Sequence, residues 1–556
     1  MTEADGAERS VDQERLSVFG QLVRPKDDLL PTFRRATRAR ELSALLELDD
    51  NYVAVYERGP HVWIVNSIYS LTSYFYSYAD GRFLHGDTIH ALARKGPVDL
   101  AWNYEAIADL FALAHLVADD TLVRGVRPVP QGCILHWDGA HLELLKFHHR
   151  ELEAPRRAGD PPAALVELFL DGLRAGTGAR AITTASAGLD SRVNLAGLLH
   201  LGFRPELLVM GDPASKDVVI VKQIARAFDL RVNHVLLEPR DFLDGADEIC
   251  RATDGVKPFD HWHTYVMAKK AGYRRDDQVI TGNNGEHVRG VGFDYGILAH
   301  ALDGVSRHDH GLLTRPLLAK YWRMKTHVLL RPDELRRCPP EFADYYGKRR
   351  QTEKLLSVMP SDESFVWQSD AFVLQQRRRV FQSCGLKLMT LGFSPFSPFM
   401  RKGWVDAGWR LDLSFRLGSR WHRDTVARLC PRLLAFPEEK EADRMLRRQR
   451  PLAWAAPVKR LYRLPKAIPY VDYGPLLRSP EVVGLLSEHA AELEELLPRA
   501  VVNDLVDEQL KTGARGQVVG RLLGMVMWRV SLRQARREGA AVTSATRAAA
   551  AAPRVA

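Results

Sequence analysis

Cysteine is scarce in this sequence. Its 556 residues hold five, Cys133, Cys250, Cys338, Cys384 and Cys430, scattered singly. None makes a CxxC pair, which argues against a disulfide framework or a zinc finger. Buried, inert thiols in a reducing compartment are the expectation. Long hydrophobic runs are missing too. Mean hydropathy is −0.22, and no uncharged apolar stretch reaches the ~18 residues that a membrane span needs. The opening MTEADGAERSVDQER is acidic and polar. It lacks the basic start and apolar stretch of a signal peptide, so a cytoplasmic location is expected. No internal repeat is found.

What is present suits a globular chain, with 46% hydrophobic residues, enough for two domains. Net charge is +9. Nucleic-acid binding is one reading of that excess, but the arginines fall throughout the chain, as an arginine-rich genome produces, and no nucleic-acid partner is expected. The sharpest cluster, Arg444–Arg450, could face the phosphates of ATP or an acidic peptide.

Residues 1–15 read as a disordered leader and 538–556, rich in alanine, as a disordered tail. Residues 16–150 are strand-rich at first, with β-prone runs at Asn51–Val55, His61–Ser67 and Arg82–Leu84. A helix is expected over Tyr104–Leu116, and a turn at Pro130-Gln131-Gly132 precedes a strand. Residues 151–162, ELEAPRRAGDPP, read as a linker. From 163 to 537 the texture changes. Helices (Ala164–Arg174, Arg192–Leu201, Val218–Phe228) alternate with apolar strands (Ala181–Ala185, Leu207–Met210, Val232–Leu237), and the chain turns mostly helical after 300. This is the texture of a doubly wound parallel sheet with helices on both faces.

The segment Ala181–Asn194, AITTASAGLDSRVN, carries the clearest chemistry. A short strand containing Thr184 runs into a small-residue turn, and a helix follows. Such a turn aims loop amides and a helix N-terminus at one point, where anions bind. Ser186 and Ser191 add hydroxyls, and Gly188 permits a tight turn. Asp190 would repel phosphate directly, but makes sense with a magnesium ion between them. Taken alone, the turn also reads as a plain βα connection with Asp190 and Ser191 capping the helix. Two later segments carry the same double reading. VMGDPASKD, Val209–Asp217, is either a second nucleotide-facing loop or an ordinary turn capped by Ser215. VITGNNGEHVRG, Val279–Gly290, supplies a second carboxylate, Glu286.

Together these segments resemble the SGGLDS loop, the second strand-and-loop and the SGEGADE segment of asparagine synthetases and their relatives, β-lactam synthetase and the lasso-peptide cyclases. The resemblance covers residues 50–440 and is sharpest from 181 to 290. It implies an ATP-pyrophosphatase domain of the adenine nucleotide α-hydrolase-like type with a helical C-terminal part. Before it would lie an Ntn-hydrolase-like β-sandwich related to glutaminases. It implies ATP contacts from Thr184, Ser186, Gly188, Asp190, Ser191, Met210, Gly211, Thr281 and Gly282, and Mg²⁺ held by Asp190 and Glu286, the catalytic pair. Ala187 replaces a family glycine, and is strained if the position needs a positive φ. His287 replaces a glutamate, and Arg401 stands where the family's Pro-Phe-Leu-Asp has its aspartate. Asp254, Asp260, His261 and His263 are candidates for the acceptor pocket. Lys440 is a guess for a catalytic lysine.

The family's glutaminase uses a cysteine freed at the chain's own N-terminus. Position 2 is Thr2, and no cysteine precedes Cys133. The fold is therefore expected to persist without glutaminase chemistry. The implied function is an AMP-forming amide ligase joining a small-molecule or peptide carboxylate to an amine. Macrolactam closure of the lasso-peptide type would involve a leader-peptide-binding partner protein. A glycan- or capsule-pathway ligase and a degenerate, non-catalytic nucleotide-binding protein are the alternatives. Finally, Gln517–Arg537 is an apolar helix studded with arginines. It is expected to be the last core helix, with membrane or partner binding as the other reading.

Overall fold

The computed structural model describes residues 14–147, 162–289, 329–346, 348–358, 371–438 and 471–551. Thr2, Lys440 and Arg444–Arg450 lie outside them.

The first unit holds two antiparallel sheets. β1 (Glu14–Gln21), β2 (Asn51–Arg58), β3 (His61–Asn66), β7 (Cys133–Trp137) and β8 (Leu142–Lys146) form one, in the order β1-β2-β3-β7-β8. β4 (Phe75–Ala79), β5 (Arg82–Gly86) and β6 (Arg127–Pro128) form the other, in the order β5-β4-β6. Asp80 and Gly81 join β4 to β5 with φ of 50° and 70°, the pair of positive values that a type I′ hairpin requires. Strand β2 is buried from Asn51 to Tyr56 because both its faces are covered there. Val53 and Val55 pack with Ile64, Tyr74 and Leu135 in one cluster. Tyr52, Ala54 and Tyr56 face the other way, against Leu29 and Phe33 of helix α1 (Lys26–Arg38). Helices α2 (Ile89–Lys95) and α3 (Tyr104–Leu113) follow. β1 begins at Glu14, inside the stretch expected to be leader.

The second unit is built on five parallel strands, β9 (Ile182–Thr184), β10 (Glu206–Met210), β11 (Val232–Val235), β12 (Gln278–Ile280) and β13 (Ser394–Phe396), in the order β11-β10-β9-β12-β13. Helices cover both faces. Leu207 and Val209 of β10 point to α4 (Pro162–Gly176), α5 (Leu189–His200) and α6 (Lys216–Phe228), while Leu208 points to α8 (Ala246–Thr253) and α9 (His263–Lys270). Short α7 (Pro239–Asp244) precedes them. α4 and α5 pass closely at Gly197, where a Cβ would come within 2.4 Å of Leu173. The expected parallel sheet with helices on both faces is thus observed beside antiparallel sheets. β13 was not expected: it is three residues long and contains Pro395, which an edge strand tolerates.

The two units are tied at β13. The Gln21 amide donates to Ser397 O (2.9 Å) and accepts from Ser397 N (2.7 Å). Arg401, the departure in the Pro-Phe-x-x segment, pairs with Asp49 of the first unit, its Nε donating to Oδ2 at 2.6 Å. The final helix runs from Gly516 through 538 to Ala551, where a disordered tail was expected. Alanine, the strongest helix former, carries it on. Among the described residues, no helix is long and apolar enough to cross a membrane.

Candidate functional site

In this strand order the chain winds from β9 outward through β10 to β11, then returns to the other side of β9 for β12 and β13. The switch point of this sheet, the crevice position where ligands of such sheets bind, therefore lies beyond the carboxyl ends of β9 and β12. The loop after β9 and the loop after β12 both line it. Gly282 and Gly285 of the second loop pack on Asp190 of the first. A Cβ on Gly285 would lie 2.8 Å from Asp190 Cγ, so neither loop could approach as closely with a larger residue there. Asp190 and Glu286 thus come from separate loops to the same crevice.

The first loop is held by its own hydroxyls. Ser186 N donates to Ser191 Oγ (3.2 Å) and Gly188 N to Ser186 Oγ (3.1 Å). Ala187 N donates to Asp217 Oδ1 at 2.8 Å, so the acidic residue of the β10 segment braces this loop. Two readings left open by the sequence are decided. Ala187 does not adopt a positive φ; it is fully buried and unstrained, because the turn is closed by hydroxyls rather than by a left-handed residue. Asp190 and Ser191 do not cap α5. The N-cap is Gly188 without a side-chain cap, and Asp190 is the second residue of the helix, within its first turn. Ser215 sits at the N-cap of α6 but makes no capping bond. Gly211, after Met210, has φ of 118°, which glycine alone adopts readily.

Asp190 approaches a guanidinium and an imidazole. Arg289 Nη1 donates to Oδ2 at 3.1 Å, and His422 Nε2 lies 2.9 Å from Oδ1, too poorly aligned to count as a hydrogen bond. Burial pushes the Asp190 carboxyl up, but His422 and Arg289 outweigh it and hold it below the usual range. Glu286 accepts from Gln382 and lies 3.5 Å from Arg378 Nε. Arg378 also donates to Asn284 Oδ1 (2.8 Å), and Asn284 takes a left-handed φ of 69°. Burial lowers the Arg378 pKa while Glu286 and Asp190 raise it, which places both carboxylates in its field. Neither Arg378 nor Gln382 was singled out from the sequence, since they stand on a helical run, Val373–Gln382, that no motif marks. The π-helical turns there, common at functional sites, leave no sequence signature.

Unsatisfied polar atoms gather at this crevice. Asp190 Oδ1, Asn194 Oδ1, Thr281 Oγ1, Arg378 Nε, Gln382 Oε1 and both ring nitrogens of His422 are buried without a hydrogen-bond partner among the described residues. Each would cost on the order of 1–3 kcal/mol if it stayed so. A concentration of such atoms marks a place that water or a polar ligand fills. Thr184 is committed to the sheet, its Oγ1 reaching Ile280 O at 3.4 Å.

Other sequence candidates lie elsewhere. His287 is buried away from the crevice, its ring edge on Trp409 (4.6 Å) and its Nε2 3.1 Å from Val405 O. His261 meets the Phe381 ring at 4.7 Å, and no group of three His, Cys, Asp or Glu residues among those described could hold a metal. Asp254 is buried, accepts from Ile89 N (2.7 Å) and lies 3.7 Å from Lys387 Nζ. Burial pushes its carboxyl up to about 7, against the pull of Lys387. Between about pH 4 and pH 7 the folded protein holds a proton that the unfolded chain releases, so stability falls as pH rises through that window. Asp254→Asn is therefore expected to stabilise the protein by about 2–4 kcal/mol at pH 8 and by nothing near pH 4. Melting temperatures across this range check it, and a pH-independent gain, or a loss at pH 8, contradicts it.

No protein-family model matches this sequence, and no curated protein matches it either.

Proposed function

We propose that the crevice is the adenylation site of an ATP-dependent, AMP-forming amide ligase related to asparagine synthetases. One observation carries the reading: a serine-rich loop and a second acidic loop meet at the switch point of a five-stranded parallel sheet, amid unsatisfied polar atoms. The start of α5 suits a triphosphate, and Gly211 leaves room for a base beside Met210. Arg289 and Arg378 add positive charge where the phosphates would lie. On this reading the first unit is the sandwich of a glutaminase-like domain that no longer makes ammonia.

Mg²⁺ is commonly bound by one or two carboxylates plus phosphate oxygens, not by a complete protein cage. Asp190 and Glu286 fit that pattern: two carboxylates at one crevice, with Asp190 Oδ1 left without a hydrogen bond. These two residues would hold the ion, which would neutralise the triphosphate as pyrophosphate departs. The chain's own part is positioning. The hydroxyl-braced loop fixes Asp190, and Gln382 fixes Glu286. The substrates remain a carboxylate and an amine as classes, with lasso-type macrolactam closure the favoured case and a glycan or capsule ligase the alternative.

ATP–pyrophosphate exchange across a panel of carboxylates tests this. Exchange stimulated by a carboxylate, with no glutamine hydrolysis, is the expected result. A second reading, nucleotide binding without turnover, draws on the pairing of both carboxylates with arginines. ATP binding without exchange on any carboxylate would select it.

A further inference from the structure

A cavity of about 500 Å³ lies where the first unit meets the second. Its wall includes Gln21 from the end of β1, Ser73, the start of α2 and, from the second unit, Ser383, Leu386 and Lys387. The volume is that of a small-molecule site rather than a packing defect. Most of the lining is apolar, with Leu71, Leu386 and Leu391 prominent.

One polar atom there has no partner. His90 is 1% exposed and lines the cavity. Its Nε2 lies 2.8 Å from Ser531 Oγ, and that hydroxyl donates its single proton to Trp528 O at 2.9 Å. Ser531 Oγ must therefore accept from His90 Nε2–H, which fixes the tautomer. Nδ1 is left as a bare acceptor, buried and without a hydrogen bond. Burial, reinforced by Arg251 and Arg94, lowers the ring's pKa to about 3, so the acceptor persists at neutral pH.

The charges around it are nearly all committed. Arg251 pairs with Asp247 (3.1 Å), Arg94 with Glu538 (3.5 Å) and Glu248 with Lys269 (2.9 Å). Lys387 donates to Asp87 O at 2.7 Å and faces Asp254. Among the described residues, the Asp87 carboxylate is in no ion pair or side-chain hydrogen bond, and it stands three residues from His90 on the same wall. The cavity thus offers a neutral acceptor, at its exposed rim a carboxylate in no ion pair among the described residues, and an apolar body.

We infer that this cavity binds a small amphipathic amine, which donates N–H to His90 Nδ1, sets its ammonium near Asp87 and lays its apolar part along Leu71, Leu386 and Leu391. The inference does not rest on nucleotide chemistry at the crevice, and it stands even if no ATP–pyrophosphate exchange is found.

Titration calorimetry on the full chain without nucleotide tests it, using 2-phenylethylamine as probe and 2-phenylethanol and phenylacetate as its neutral and anionic counterparts. The amine is expected to bind with one site per chain, the alcohol at least ~10-fold more weakly and phenylacetate not at all. His90→Phe keeps a ring and removes the acceptor; it should weaken amine and alcohol alike by ~10-fold or more. Asp87→Asn lies at an exposed position and should fold even if the buried His90→Phe does not. It should weaken the amine ~5-fold or more and leave the alcohol unchanged. Failure of the amine to bind wild type, equal binding of amine and alcohol, or amine binding indifferent to Asp87→Asn would each overturn the assignment.

Discussion

Asp190→Asn is expected to cut pyrophosphate release by ~10² or more while the protein still folds. The loop around it is closed by Ser186, Ser191 and Asp217, and α5 is capped by Gly188, so none of these depends on the Asp190 charge. What Asn loses is the negative charge facing Arg289 at 3.1 Å and His422 at 2.9 Å. A hydrogen bond to a charged group is worth about 2 kcal/mol, so the melting temperature should fall by only a few degrees. The pH dependence separates the two effects. The folded-state carboxyl is held below its usual range. Its contribution is therefore present above about pH 4, and is lost as pH falls through the folded value. The gap in melting temperature between wild type and mutant should close on acidification. The rate gap at neutral pH should not be recovered by added stability. Near-normal turnover in a folded mutant would defeat the adenylation mechanism.

Truncation before Gln517 should leave an unfolded, insoluble chain. The final helix buries Val518, Val519, Leu522, Leu523, Met525, Val526, Trp528, Leu532 and Ala535. At roughly 1.5–3 kcal/mol for each large side chain, their loss is on the order of 15 kcal/mol, as much as a whole domain's stability. The helix is locked by specific contacts as well. Trp528 packs on Trp102 with centroids 6.0 Å apart, Arg529 lies over the Trp102 ring at 4.5 Å, and Arg521 donates to Leu110 O at 3.1 Å. Two of the arginines that suggested a membrane or partner surface, Arg521 and Arg529, are therefore buried against the first unit, while Arg533, Arg536 and Arg537 stay exposed. Solubility and circular dichroism of the truncated chain check the expectation. A soluble, helical truncation would show that the helix is a detachable binding element.

Much of the fold was legible because it follows from local rules. β2, β3 and β5 stand where short β-prone runs lie between turn residues. β9, α5, β10 and α6 stand where apolar strands alternate with helical periodicity, because strands buried on both faces read as continuous apolar runs. β4 escaped notice although Asp80-Gly81 announced its hairpin, since half its residues are polar or exposed. β13 could not be found at all. Three residues containing a proline carry no β signal until β12 is beside them.

The amino-acid sequence by itself determined the small-residue turn at 186–191, the acidic loop at Glu286 and the alternation that makes a parallel sheet, because each depends on residues near one another in the chain. Only the tertiary structure decided what those residues meet. It placed Asp190 between Arg289 and His422, and Glu286 beside Arg378 and Gln382, bringing together positions nearly a hundred or more residues apart. It also turned His287 and Arg401, departures that looked like damage to a site, into packing and into the joint between units. Charge pairing and burial act through space, and no local pattern records which distant side chain will arrive.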